Sequence, residues 1–160
     1  MFNLIILFCI LMITFIYNGY IIYKHKRIPY SLSETSYMYG GSKRYFFTLY
    51  CLIIGLSILP QLFKIANNGF EIIPFIFIIG LSLAGLTPNY REDFQDKIHN
   101  ISAYISFAAF LLFMFIFVNH WLILGYLIIC LSLILWKKEC YTYIFEIISI
   151  LFLNIWLMFY

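Results

Sequence analysis

Long apolar runs are the feature of this sequence that most restricts its fold. The segment FAAFLLFMFIFV, residues 107–118, is apolar at every position, and five further runs contain few polar residues. Such a run has no polar face to turn toward water, so it is not a surface helix of a soluble domain. A helix needs about 20 apolar residues to cross the core of a bilayer. The six runs occupy residues 2–23, 45–66, 70–88, 101–119, 121–136 and 141–160.

We therefore predict an all-α fold: a polytopic transmembrane helical bundle of about six helices, forming one transmembrane domain over residues 1–160. Composition agrees, since 64% of the residues are hydrophobic and only 11% are charged, whereas about a quarter are charged in soluble domains. Transmembrane strands would alternate in polarity over about 10 residues, which these runs do not do. No Lys or Arg precedes the first run, and it is too long for a secretory signal, so we expect it to be retained.

The basic residues predict the orientation. Nine of the ten Lys and Arg residues lie in three segments, 24–44, 89–100 and 137–140, and the tenth is Lys64. Short loops rich in Lys and Arg stay cytoplasmic, so both termini are expected outside. This retention signal accounts for the formal charge of +3, and no nucleic-acid partner is required. Residue usage that matches AT-rich codons suggests a bacterial or phage genome, and hence the bacterial inner membrane.

No cofactor, metal or disulfide is predicted. Cys9, Cys51 and Cys130 fall within apolar runs, Cys140 falls on the predicted cytoplasmic side, and no CxxC or Cys/His spacing occurs. In the longest loop, the sequence from Ser33 to Ser36 is compatible with a short helix lying on the membrane surface.

Small residues are concentrated in the second to fourth runs. They let helix backbones approach closely, which is how helices associate in lipid. We expect these three helices to form the packed centre of the bundle. The candidate packing residues are Gly55, Gly80, Ala84, Ser102 and Ser106.

The most polar stretch is LTPNYREDFQDKIHN, residues 86–100. Asn89 followed by Glu92 resembles a capping box, and Thr87 with Pro88 offers a second possible start. Both patterns predict a helix that begins near residue 90 and continues into the fourth run.

On that helix Asp93, Asp96 and His99 are spaced by three and share a face. They are candidate catalytic residues for acid–base chemistry on a lipid headgroup, or ligands of a divalent metal. The other interpretation is a solvated helix end whose acids pair with Lys97 and Arg91. The helix-end interpretation is favoured, because a helix start explains the acids without any chemistry.

The sixth run contains a carboxylate, Glu146, and, two turns further, the amide of Asn154. A carboxylate within a membrane costs about 3 kcal/mol or more unless it is paired, hydrated or protonated. Glu146 either belongs to a functional polar seam with Asn154, or reaches interfacial water or Lys137. Both interpretations remain open.

Three segments carry a family resemblance: IPYSLSETSYMYGG at 28–41, IIGLSLAGLTP at 78–88 and IHNISAYISF at 98–107. Residues 28 to about 110 resemble uncharacterised bacterial six-span membrane proteins that are loosely grouped with the Frag/DRAM/Sfk-type family. Members have a Pro that ends the third span and a His shortly before the fourth, here Pro88 and His99. The resemblance implies a six-helix bundle and, by analogy with eukaryotic relatives, a lipid-linked role without an assured enzymatic activity.

The favoured function is a small non-enzymatic integral membrane protein that binds lipid or a membrane-protein partner. One alternative is a membrane enzyme that acts on a lipid headgroup at the cytoplasmic interface. Another is an oligomeric channel or membrane-disrupting effector, with Glu146 and Asn154 facing the pore. The expected partners are the lipid bilayer and either a second copy of the chain or another membrane protein.

Overall fold

Each of the six apolar runs contains one long helix in the computed structural model, which describes residues 2–67, 69–88, 93–136 and 138–160. The prediction of an all-α fold is confirmed, because these residues contain seven α-helices and no strand. Short 3-10 turns at Gly41–Arg44 and Lys138–Cys140 precede the third and last helices. The helices are α1 Phe2–His25, α2 Glu34–Tyr39, α3 Tyr45–Ile65, α4 Ile72–Leu86, α5 Asp93–Phe117, α6 His120–Trp136 and α7 Tyr141–Phe159.

Four of the helices are long and apolar enough to cross a membrane: α1, α3, α5 and α7. Helices α4 and α6 are also apolar but have only 15 and 17 residues. Large hydrophobic side chains on the outside of the bundle, such as Phe15, Ile16 and Phe115, are more than half exposed. An apolar outer surface is suited to lipid, so the fold indicates an integral membrane protein.

Helix α4 lies in backbone contact with α5 on one side and α3 on the other. A Cβ atom at Gly80 would lie 2.8 Å from both the carbonyl oxygen of Ser102 and the Cβ of Ser106. At Gly85 a Cβ would lie 2.6 Å from the Cβ of Cys51. The hydroxyl of Ser106 also donates to the carbonyl oxygen of Phe77 at 2.8 Å. Glycine is therefore required for the close crossings at residues 80 and 85.

The other candidate packing residues occupy the same interfaces. A Cβ at Gly55 on α3 would lie 3.3 Å from the Cγ2 of Ile78 on α4. Ala84, Ser102 and Ser106 are all buried. The small residues thus lie where α3, α4 and α5 pack together.

Helices α1, α6 and α7 form the other part of the bundle. Helix α1 packs against both α3 and α7, and α6 packs against α7. Helices α5 and α7 face each other mainly through aromatic rings. The ring centroids of Phe107 and Phe145 are 5.1 Å apart, and those of Phe113 and Trp156 are 6.0 Å apart. Since large side chains bridge these two helices, space remains between their backbones.

The short helix expected near Ser33 to Ser36 forms as α2, and it is buried within the bundle. Its residues Thr35 and Ser36 are fully buried, and Glu34 is only 6% exposed. The hydroxyl of Thr35 is hydrogen-bonded to that of Tyr17 at 2.6 Å, and Ser36 donates to the carbonyl oxygen of Pro88 at 3.0 Å. These partners inside the bundle draw the helix inward.

Helix α5 runs without a break from the polar stretch into the fourth apolar run, as predicted. The proposed cap at Asn89 and Glu92 lies outside the described residues, as does Arg91. At the far end of α5, two residues suffice to connect it to α6. The side-chain oxygen of Asn119 accepts a hydrogen bond from the backbone N–H of Trp121 at 2.9 Å and so caps the start of α6.

Candidate functional site

A cavity of about 640 Å³ lies between α3, α4 and α5 on one side and α7 on the other. Its volume falls within the range of about 300–1,000 Å³ that is usual for small-molecule sites. Most of its wall is apolar. The side chains forming this part include Ile54, Ile58, Phe77, Phe107, Phe110 and Leu153.

The cavity is polar at the end that faces the 26–44 loop. Charged side chains among the described lining residues are Asp96 and Glu146, and none of these residues is Lys or Arg. The exposed lining residues Asn100 and Tyr104 on α5 and Tyr141 on α7 mark where the cavity reaches the surface of the bundle. The other polar residues at this end include Ser31, Ser33, His99, Asn100 and Thr142.

Glu146 fastens the 26–44 loop to α7. Its Oε2 accepts a hydrogen bond from the backbone N–H of Leu32 at 2.6 Å. Three residues earlier on α7, the backbone N–H of Tyr143 donates to the carbonyl oxygen of Tyr30 at 3.0 Å. A side chain and a backbone group of α7 therefore hold this part of the loop over the polar end of the cavity.

A second carboxylate organises the loop internally. Glu34 accepts a hydrogen bond from the backbone N–H of Tyr30 at 2.6 Å and forms an ion pair with Arg27 at 2.7 Å. The hydrogen bond with Glu34 raises the pKa of the Arg27 guanidinium above its usual value. Because Arg27 is half exposed, this pair shapes the loop more than it stabilises the protein.

His99 is buried against the C-terminal end of α4. Its Nδ1 lies 3.0 Å from the carbonyl oxygen of Ala84 and 3.1 Å from the hydroxyl of Thr87. A carbonyl acceptor requires Nδ1 to carry a hydrogen. Thr87 donates to Ala84 as well, and Thr48 on α3 donates to the carbonyl oxygen of Gly85 at 2.6 Å. These side chains satisfy terminal carbonyl groups that the helix cannot satisfy itself.

The structure separates Asp93 from the other two candidates: Asp96 and His99 both line the polar end of the cavity, whereas Asp93 does not. Asp93 is exposed, Asp96 is partly buried and accepts a hydrogen bond from Asn100 at 2.9 Å, and His99 turns into the bundle. Over residues 2–67, 69–88, 93–136 and 138–160, no three His, Cys, Asp or Glu side chains are placed to hold a metal ion. Two of the three candidate residues therefore share the cavity.

Asn154 lies in the apolar part of the cavity wall and is completely buried. Its Nδ2 donates to the carbonyl oxygen of Ile150 at 2.8 Å. Its Oδ1 has no hydrogen-bond partner among the described residues. Glu146 and Asn154 thus line the same cavity, one at its polar end and the other among apolar side chains.

Sequence reasoning missed a buried hydrogen-bond network that joins α1 to α7. Tyr143 donates to the side-chain oxygen of Asn18 at 2.9 Å, and Asn18 donates to the carbonyl oxygen of Thr14 at 2.8 Å. The signal was present, since Thr14 and Asn18 are polar residues one turn apart within an otherwise apolar run. This network fixes α7 beside α1 and so fixes one wall of the cavity.

Comparison of the chain with protein-family models, with curated proteins and with solved structures found no match. The cavity and the residues around it are therefore the basis for assigning a function.

Proposed function

We propose that this protein binds a lipid-like amphiphile in the cavity between α5 and α7 and has no catalytic role. The observation that carries the proposal is a cavity of about 640 Å³ with apolar walls and polar groups gathered at one end. A lipid has the same division between chain and headgroup. The resemblance to the Frag/DRAM/Sfk-type family, with its lipid-linked relatives, supports the same class of ligand.

The position of the opening favours entry from the bilayer. Tyr104 and Tyr141 flank it and are 74% and 55% exposed, on helices whose outer faces are apolar. A lipid moving sideways between α5 and α7 would keep its chain in apolar surroundings throughout. A water-soluble metabolite would gain little from walls such as Phe107 and Phe110.

The charges at the polar end favour a neutral headgroup. Asp96 and Glu146 line this end, and an ionised carboxylate repels an anion. Hydroxyl groups of a headgroup can donate to these carboxyl oxygens and exchange hydrogen bonds with Ser31 and Ser33. A monoacylglycerol has such a headgroup and one chain.

We also propose that all six long helices cross the bacterial inner membrane, with both termini outside. Helices α4 and α6, at 15 and 17 residues, are about 23 and 26 Å long at 1.5 Å per residue, slightly less than a hydrocarbon core of about 30 Å. Neighbouring turns supply the remaining length. The three basic segments then lie together in the cytoplasm, which agrees with contacts from the 26–44 loop to Pro88 and to α7.

Filling the cavity tests lipid binding. Ala103 on α5 lines the cavity, whereas Ala108 on the same helix is exposed and does not line it. Purified wild type, Ala103→Phe and Ala108→Phe would be compared for displacement of a fluorescent monoacylglycerol by monoolein. We expect Ala103→Phe to weaken monoolein binding roughly tenfold or more, a loss of about 1.4 kcal/mol, and Ala108→Phe to bind normally. Equal binding by all three proteins would refute this site.

A further inference from the structure

We propose that a cleft at one end of the bundle binds the headgroup of a zwitterionic phospholipid with a primary ammonium group, phosphatidylethanolamine. The cleft has a volume of about 710 Å³. It shares no lining residue with the cavity between α5 and α7 in the described part of the chain, so it does not depend on lipid binding there. Its lining includes Lys26, Arg27, Tyr30, Leu135, Trp136 and Glu139.

The cleft lies where two helices end and a third begins. Lys26 directly follows α1, Trp136 is the last residue of α6, and Glu139 lies in the 3-10 turn before α7. Helices α1 and α7 are long and apolar enough to cross a membrane, so their ends lie near the bilayer surface. Leu135 and Trp136 are 61% and 74% exposed, and an exposed tryptophan is typical of the headgroup level. The cleft is therefore placed to meet lipid headgroups.

Two cations in the cleft can hold a phosphate. The Arg27 guanidinium has five N–H donors, and its hydrogen bonds to Glu34 at 2.7 and 3.4 Å use two of them. Its side chain is still 47% exposed, so it can contact a ligand while it stays paired. Lys26 is exposed, and its Nζ lies 4.1 Å from the centroid of the Tyr23 ring. Charge-assisted hydrogen bonds from such groups to phosphate oxygens are among the strong ones.

The backbone at Lys26 indicates that its side chain has a use other than ending α1. Lys26 has a φ of 54°, and among the described residues it is the one non-glycine residue with a positive φ. Glycine is usual directly after a helix, because a Cβ is disfavoured in that conformation. The backbone N–H of Lys26 donates to the carbonyl oxygen of Ile22 at 2.8 Å, as that of a glycine would. A cation in the cleft is what glycine could not supply.

Glu139 brings the opposite charge into the same cleft. It is exposed and forms no ion pair with Lys26, Arg27 or any other described residue. Because Lys26 and Glu139 line one cleft without being paired, a ligand that carries both an anion and a cation can lie between them. The phosphatidylethanolamine headgroup has a phosphate joined by an ethylene group to an ammonium. That ammonium donates hydrogen bonds, which a carboxylate accepts.

Other headgroups match these charges less well. Phosphatidylglycerol offers no cation to Glu139, and the carboxylate repels its phosphate. Phosphatidylcholine has a quaternary ammonium without an N–H, so it donates no hydrogen bond to the carboxylate. A soluble phosphoethanolamine ester has the right charges but no chain to lie against Leu135 and the apolar surface of α6.

Three phospholipids with identical pairs of oleoyl chains make the test: phosphatidylethanolamine, phosphatidylglycerol and phosphatidylcholine. Each would be titrated in detergent against the purified full chain, with the Kd of the first bound lipid measured by native mass spectrometry. We expect wild type to bind phosphatidylethanolamine roughly tenfold more tightly than the other two, the equivalent of about 1.4 kcal/mol. Glycerophosphoethanolamine, the headgroup without chains, should compete only weakly. Competition as strong as that of the lipid would show that the ligand is not a lipid.

The first variant tests the carboxylate. Glu139→Gln removes the charge and keeps the size of the side chain, and it should lose the preference for phosphatidylethanolamine over phosphatidylglycerol. Asp93→Asn is the matched control, because Asp93 is exposed and does not line the cleft. It should keep the preference.

The second variant tests the cation. Lys26→Gly should weaken the binding of both phosphatidylethanolamine and phosphatidylglycerol roughly tenfold, because both carry the phosphate. Thermal stability in detergent should not fall, since glycine suits a positive φ. Unchanged lipid binding by Lys26→Gly would show that the lysine side chain does not hold the phosphate.

Four outcomes would overturn the site. They are equal affinity of wild type for the three lipids, tighter binding of phosphatidylglycerol, a preference that persists in Glu139→Gln, and a preference that is lost in Ala103→Phe. The last would place phosphatidylethanolamine in the cavity between α5 and α7, which Ala103 lines. Failure of monoolein to bind would refute the proposed function and leave the cleft unaffected.

Discussion

The carboxylate of Glu146 accepts a hydrogen bond from the backbone N–H of Leu32 at 2.6 Å, across 114 positions of the chain. A carboxylate inside a membrane helix therefore has a structural partner. Leu32 is only 5% exposed, and the carboxylate supplies the acceptor for its backbone N–H. Together with the hydrogen bond from the backbone N–H of Tyr143 to the carbonyl oxygen of Tyr30, the bond to Glu146 places Ser31 and Ser33 over the polar end of the cavity.

Replacing Glu146 separates its acceptor role from its charge. Glu146→Gln keeps an oxygen that can accept from Leu32, whereas Glu146→Leu leaves a buried N–H unpaired. We expect the leucine variant to lose about 1–3 kcal/mol of stability and the glutamine variant to lose clearly less. Thermal unfolding in detergent measures the loss, and amide hydrogen exchange at Leu32 should become faster only in the leucine variant. Equal stability of the two variants would contradict this role.

The crossing of α4 and α5 gives a second prediction. Gly80→Ala places a Cβ 2.8 Å from the backbone oxygen of Ser102, and backbone cannot yield as a flexible side chain can. We expect a loss of about 1–3 kcal/mol from this overpacking, and a larger loss for Gly80→Leu. Thermal stability in detergent is again the measurement.

Gly125 in α6 is the matched control, since a Cβ there meets nothing within 4 Å. Gly125→Ala should raise stability by about 0.4–1 kcal/mol, because alanine restricts the unfolded chain. If Gly80→Ala were as well tolerated as Gly125→Ala, the two backbones would not be in contact at residue 80.

His99 and Asp96 should differ in their effect on stability. His99→Ala removes a buried donor to the carbonyl oxygen of Ala84, to which Thr87 still donates, and we expect a cost of about 0.5–1.5 kcal/mol. Asp96→Ala removes a hydrogen bond to exposed Asn100 and should change stability by no more than about 0.5 kcal/mol. Chemical or thermal unfolding of both variants makes the comparison. A larger loss of stability for Asp96→Ala than for His99→Ala would contradict the structural role assigned to His99.

The cap at Asn89 stays a prediction from the sequence alone. Asn89→Ala should cost about 0.5–2 kcal/mol if this side chain caps the helix that leads into α5. The same unfolding measurement tests this prediction. Asp96→Ala is the reference, because Asp96 is a polar residue of α5 that does not cap the helix.

Helix positions were predictable because an apolar run of membrane length leaves the backbone little choice but a helix. The predicted run 45–66 became α3 Tyr45–Ile65, and 121–136 became α6 His120–Trp136. The close approach at Gly80 was predictable as well, because small residues in apolar runs typically lie where the backbones of two membrane helices approach each other.

The cavity and its loop were not predictable. Every residue except proline has a backbone N–H, so nothing in the sequence marks Leu32 as the partner of Glu146. The space between α5 and α7 arises from large rings such as Phe107 and Phe145 that hold the two helices apart. Spacing along one helix does not carry that information. The spacing of three residues likewise predicted that Asp93 and His99 share a helix face, but it did not predict that, of these two, only His99 is buried.

Topology gives the last prediction. Ser42 is exposed in the basic 26–44 loop, and His120 is exposed at the opposite end of α5 and α6. A cysteine would be introduced at one of these positions at a time, with Cys9 and Cys140 replaced by serine, and intact cells would be treated with a membrane-impermeant maleimide. Cys51 and Cys130 are buried and should not react. Because Lys- and Arg-rich loops remain cytoplasmic, we expect labelling of His120→Cys from outside and of Ser42→Cys only after the cells are opened. The reverse labelling pattern would mean that the protein has the opposite orientation in the membrane. Labelling of both Ser42→Cys and His120→Cys from outside would mean that the helices between residues 42 and 120 do not cross the membrane an odd number of times.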